Sequence, residues 1–169
     1  GALLPLEPTK KIVLAIDDDQ GVLTLLKRYL ENDGYEVVGV RESNQALSVA
    51  RRLAAPGGEP QPAAGGAPTD GHLAAITLDI VMPRPGNGDP VHGAATEGQP
   101  PVEEGGWEIL RALKKDAATK EVPVIVCSIL EGLEKGLSMG AAACLRKPLT
   151  RSDLLATLQR IEAAREAEK

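Results

Sequence analysis

Six polar residues stand where short apolar runs stop. Asp17, Asp18 and Asp19 follow the run 12–16, Asp79 closes 74–78, Ser128 closes 122–127, and Lys147 follows 142–146. If those runs are strands of one open sheet, their carboxyl ends share an edge, which is where such sheets bind ligands. Clustered carboxylates repel one another unless a cation is present. A hard divalent ion such as Mg²⁺ answers that need, because it takes oxygen ligands, keeps several waters and often binds through one or two carboxylates plus phosphate oxygens. Asp18 and Asp79 can ligate it directly, with Asp17 helping directly or through water. Lys147 can then pair with Asp79 or with an arriving phosphoryl oxygen, and Ser128 can donate a hydrogen bond to another. Phosphoryl transfer asks mainly for positioning and charge neutralisation, and this set supplies both. Each feature alone has an ordinary explanation: an acidic triplet as a helix cap, a Ser as a satisfied hydroxyl, Lys-Pro as an extended dipeptide. The force lies in their joint occurrence, in order, at four strand ends.

The runs that position them alternate with helical patterns. Residues 12–16 form a short apolar run of the kind buried on both faces of a parallel sheet. Val22, Leu25, Leu26, Tyr29 and Leu30 recur at helical spacing, so a helix is expected over about 20–32, ended by Asp33-Gly34. Residues 35–40 read as a second strand, and Ser43 can cap a helix carrying Ala46, Leu47, Ala50 and Leu53. The strand at 74–80 precedes a helix marked by Trp107, Leu110 and Leu113. The strand at 122–128 precedes a short helix near 131–139, weakened by Gly132 and Gly136. A strand at 142–146 leads to a last helix with Leu154, Leu155, Leu158 and Ile161 inward, capped by Thr150 or Ser152. Five alternations predict an α/β fold, a doubly wound parallel sheet with helices on both faces and right-handed crossovers. Two stretches, about 54–73 and 84–105, are rich in Gly, Pro and Ala without hydrophobic periodicity, and read as insertions into surface loops. His72 and His92 sit one in each, and are expected to be solvated.

The chain has 169 residues and a net charge of -5, and its Lys and Arg residues are dispersed. That gives no basic stripe for direct nucleic-acid binding. No apolar run approaches the roughly 18 residues that suggest a membrane span, and the N-terminus lacks a secretory signal. A cytoplasmic location is expected. Cys127 and Cys144 lie in apolar strand-like runs and read as buried free thiols. With no Phe, one Trp and two Tyr, the core must be built from Leu, Ile, Val and Ala.

The segments IVLAIDDD, ITLDIVMP, GWEILRALK, VPVIVCS and MGAAACLRKPLT resemble receiver domains of bacterial response regulators and hybrid histidine kinases, over about 11–162 apart from the two insertions. The resemblance implies a five-stranded flavodoxin-like sheet of order 2-1-3-4-5. It implies Asp79 as phospho-acceptor, Asp17 and Asp18 as the acidic pair of a Mg²⁺ site completed by Asp79 and the Val81 backbone carbonyl, Ser128 as switch hydroxyl, and Lys147 as the invariant-type lysine. It also implies a candidate cis bond between Lys147 and Pro148. Such a domain takes its phosphoryl group from the phosphohistidine of a histidine kinase or histidine phosphotransfer domain. It catalyses that transfer and its own later hydrolysis, but is mainly a signalling module, and phosphorylation-dependent homodimers are compatible with it. Two departures stand out. Cys144 occupies a position that is often aromatic in the family, and the 84–105 loop adds about twenty residues just after Asp79.

Two rivals remain on the sequence. A haloacid-dehalogenase-like phosphatase would use Asp17-x-Asp19, but would need a further acidic pair after Lys147, where only Asp153 stands, and would leave Asp79 idle. A receiver-shaped docking module that is never phosphorylated would have no use for the clustered charges. Residues 1–10 read as a linker, 11–162 as the domain and 163–169 as a frayed tail. The Pro-containing linker points to the receiver of a hybrid histidine kinase.

Overall fold

In a computed structural model, the structure describes residues 10–54, 71–82, 104–129 and 134–167. In chain order the elements are β1 (Lys10–Ile16), α1 (Gln20–Glu31), β2 (Tyr35–Val40), α2 (Ser43–Ala54), β3 (Gly71–Asp79), α3 (Gly106–Lys115), β4 (Val124–Ser128), α4 (Lys135–Ser138), β5 (Ala143–Arg146) and α5 (Arg151–Ala167). The five strands form one sheet of order β2-β1-β3-β4-β5, and every pairing is parallel. Among the described residues no helix is long and apolar enough to cross a membrane.

Alternation along each strand divides the core in two. Ile12, Leu14, Ile16, Ile76, Leu78, Val124 and Val126 pack on one face with Ala46 and Ala50 of α2 and with Ile109, Leu110 and Leu113 of α3. Val13, Ala15, Ala75, Ile125 and Ala143 pack on the other face with Leu23, Leu26 and Leu30 of α1 and with Leu154, Leu158 and Ile161 of α5. Both faces are therefore apolar, which is why the central strands read as unbroken hydrophobic runs. The aliphatic core expected from the lack of Phe is the one present.

Three boundaries depart from the sequence reading. β3 begins at Gly71, so His72 is an exposed strand residue beside Lys11 rather than part of a loop. Its polar start pairs with the polar start of β1, which hydrophobic patterning cannot see. α5 continues to Ala167, beyond the expected start of a frayed tail at 163. Arg165 ties down that last stretch by donating to the carbonyl oxygens of Leu73 (3.3 Å) and Ala74 (3.1 Å). α4 is a single turn, with 131–133 of its expected span outside the described residues. Also outside them are 1–9 of the linker, 55–70 and 84–103 of the two insertions, and His92.

The junction that matters most for the site is between β3 and α3. Gly105 N–H donates to the Met82 carbonyl (2.8 Å) and Gly106 N–H to the Ile80 carbonyl (3.0 Å). A Cβ on Gly106 would overlap the Asp79 carbonyl oxygen and the Ile80 Cα. Glycine here lets α3 start directly against the end of β3 and fixes the backbone that carries Asp79. Gly106→Ala is therefore expected to destabilise the fold by roughly 1–3 kcal/mol through forced backbone displacement, read as a lower urea midpoint. An unchanged midpoint would contradict this close approach.

Candidate functional site

The end of β1 sorts the acidic triplet into separate tasks. Asp17 N–H donates to the Val40 carbonyl (3.0 Å), which carries the β1–β2 pairing one residue further. Asp17 is 3 % exposed, and its Oδ1 accepts from the Asp19 N–H (2.9 Å). Asp19 turns away to cap α1, its Oδ1 accepting from the Gly21 N–H (2.8 Å). Asp18 is exposed between them. Asp19 is thus occupied as a cap, and the clustered carboxylates are Asp17, Asp18 and Asp79, with ligand atoms all within 4.8 Å of one another.

Asp79 ends β3 at 5 % exposure, and its Oδ1 accepts from the Val81 N–H (3.0 Å). Lys147 reaches in from the end of β5. Its Nζ donates to Asp17 Oδ2 at 2.7 Å and lies 3.3 Å from Asp79 Oδ2. Lys147 N–H also donates to the Ser128 carbonyl (2.9 Å), and the Lys147–Pro148 peptide is cis. Ser128 is fully buried at the end of β4, one residue past Cys127, the register partner of Asp79. Four strand ends therefore bring Asp17, Asp18, Asp79, Ser128 and Lys147 to one edge, as their spacing suggested.

Burial, then the charge of Asp17, pushes the Asp79 carboxyl up to about 6, against the opposing pull of Lys147 and the Val81 N–H. Burial alone would lower Lys147, but its hydrogen bond to Asp17 and the charges of Asp17 and Asp79 outweigh that and leave it raised. Burial pushes the Cys127 thiol up to about 12 and also raises Cys144, so neither is poised as a nucleophile; both are free cysteines. His72 stands at the opposite end of β3 and has no part in the site. Sequence reasoning missed Arg41, which follows β2 and donates from Nε to the Asp18 carbonyl oxygen (3.3 Å); no motif marks it.

An all-oxygen set of three carboxylates, two of them sharing one ammonium, suits a hard divalent cation. Burial raises Asp79 first, and the charge of Asp17 adds to that beyond what Lys147 offsets.

This shift has a direct consequence for stability. The folded-state value of about 6 lies above the ordinary 3.8, so protonated Asp79 favours the fold below about pH 4. That stability is lost as the pH rises to about 6, a loss on the order of 2–3 kcal/mol. Without metal, Asp79→Asn is expected to raise the thermal midpoint near pH 7.5, and the gain should vanish near pH 4. A variant no more stable than the parent near pH 7.5 would contradict the account.

No protein-family model matches the chain. The transcriptional regulatory protein CpxR of Escherichia coli is 26 % identical over 153 residues, covering 88 % of this chain and 48 % of that protein. The chain thus spans about half the length of the curated relatives it matches. Among solved structures, a response regulator receiver domain protein of Clostridium thermocellum aligns with TM-score 0.66 and 22 % identity, covering 94 % of this chain and 99 % of the other. The receiver domain of a Pseudomonas aeruginosa sensor histidine kinase, with a magnesium ion coordinated in its active-site cleft, aligns with TM-score 0.59 and 22 % identity over 90 % and 97 % of the two chains. The described strand order and these alignments together show that the chain has the fold of the response regulator receiver domains.

Proposed function

We propose that the chain is a phospho-accepting receiver domain of a two-component phosphorelay, with Asp79 as acceptor. The observation that carries this is the placement of a buried Asp79 at a strand end, 3.3 Å from Lys147 and within 4.8 Å of Asp17 and Asp18.

Asp18, Asp79 and the Val81 backbone carbonyl would hold Mg²⁺ directly. Asp17 would act through water, since Asp19 N–H and Lys147 already engage its two oxygens. When bound, the ion supplies positive charge beside the oxygens that carry the negative charge of the transferring group. The Val81 N–H holds one Asp79 oxygen and so fixes the carboxylate plane. An Asp79 oxygen attacks the phosphorus of a phosphohistidine; the O–P bond forms, the N–P bond breaks, and the leaving imidazole nitrogen takes a proton. Lys147 then pairs with a phosphoryl oxygen, and Ser128 donates its hydroxyl to another. Hydrolysis reverses the loading: water attacks phosphorus, the Asp79 O–P bond breaks, and inorganic phosphate leaves.

The donor in this reading is a histidine kinase or histidine phosphotransfer domain in the cytoplasm. The signal passes through Ser128, because Cys144 offers no aromatic ring to turn inward.

Intact mass after incubation with Mg²⁺ and acetyl phosphate tests the assignment. The expected result is a Mg²⁺-dependent phosphoryl adduct that is absent from Asp79→Asn and forms on the order of 100-fold more slowly in Lys147→Ala. An adduct that survives in Asp79→Asn would overturn the acceptor. Mg²⁺ binding without any adduct would favour a docking module.

A further inference from the structure

We propose that Arg41 is a positioning residue for the cation site, acting through the backbone of Asp18; this rests on the receiver reading of the acid pocket. β1 and β2 run in register to Ile16 and Val40, and Asp17 N–H extends their pairing by donating to the Val40 carbonyl (3.0 Å). Both strands stop there. The Asp18 carbonyl oxygen accepts from Arg41 Nε at 3.3 Å. On the far side, Asp17 Oδ1 takes the Asp19 N–H (2.9 Å), and Asp19 itself is fixed as the cap of α1. Asp18 is therefore the exposed acid of the cluster on a short bridge between two anchored residues, and Arg41 is the side chain that reaches that bridge from β2.

The effects of Arg41 on a bound cation have opposite signs. Its charge lies beside a site that takes a cation and opposes binding. Its hydrogen bond holds the Asp18 backbone and so places a carboxylate, which favours binding. We assign it the second effect. The two are separable by chemistry, because the amide nitrogen of glutamine stands the same number of bonds from the backbone as arginine Nε. Arg41→Gln keeps a donor there and removes the charge, whereas Arg41→Met removes both at similar length.

The experiment is calorimetric titration of MgCl₂ into the unphosphorylated protein and both variants, with thermal midpoints recorded alongside. Loss of one ordinary hydrogen bond predicts that Arg41→Met weakens Mg²⁺ binding about three- to ten-fold, with a thermal midpoint lowered by no more than about 2–4 °C. Arg41→Gln should bind as tightly as the parent or more tightly. Equal affinity in all three proteins would overturn the inference and leave the receiver reading standing. Tighter binding by both variants would also overturn it, by showing that charge alone acts. A parent protein that binds no Mg²⁺ would overturn both readings.

Discussion

Lys147 is divided between two carboxylates, 2.7 Å from Asp17 and 3.3 Å from Asp79, and the carboxyl edge of the sheet is built around that division. One ammonium cannot neutralise three acids. Asp17 is the closer partner, and burial, joined by the charge of Asp17, leaves Asp79 with a carboxyl that prefers to stay protonated until about pH 6. A carboxyl in that condition is costly to keep ionised and gains from any cation placed beside it. Burial and crowded negative charge at this edge are thus one arrangement. The sheet maintains it because the two buried acids are held by backbone donors: Asp17 by the Asp19 N–H and Asp79 by the Val81 N–H.

The packing behind the site shows how so aromatic-poor a chain brings its elements together there. Small residues let elements approach closely. Gly106 allows α3 to start against the Asp79 carbonyl, and Gly136 allows α4 to sit on Val126, Cys144 and Trp107, where a Cβ would lie 3.2, 3.3 and 3.5 Å from their nearest atoms. Trp107 is held in turn by Glu104, through its indole N–H (2.9 Å), and by Lys135 of α4, 4.8 Å above the ring. The one tryptophan therefore joins the first turn of α3, next to the strand that carries Asp79, to the turn that packs on β5. Cys144 leaves room for that arrangement where a bulky ring on β5 would compete with α4.

Much of this was legible in the sequence, and for a physical reason. A parallel sheet covered on both faces demands continuous apolar runs, so the strands announce themselves, and their ends mark Asp17, Asp18, Asp79, Ser128 and Lys147. What stayed hidden depends on backbone geometry rather than on residue type. Asp19 cannot be told from its two neighbours until its carboxylate is seen capping α1. His72 reads as loop because the polar start of β3 pairs with the equally polar start of β1. The last turns of α5 read as a tail because Arg165 binds carbonyls 91 and 92 residues away, a contact without local signal. Arg41 is silent for the same reason: it acts on a main-chain oxygen.

The most direct test of the central claim is to locate the phosphoryl group chemically. Reduction of the phosphorylated protein with borohydride converts an acyl-phosphate carboxyl to an alcohol, which peptide mapping by mass spectrometry places on a single residue. The account predicts homoserine at Asp79, with Asp17, Asp18 and Asp19 unchanged. Homoserine at Asp17, or a phosphorylated protein that yields no reduced aspartate, would contradict it.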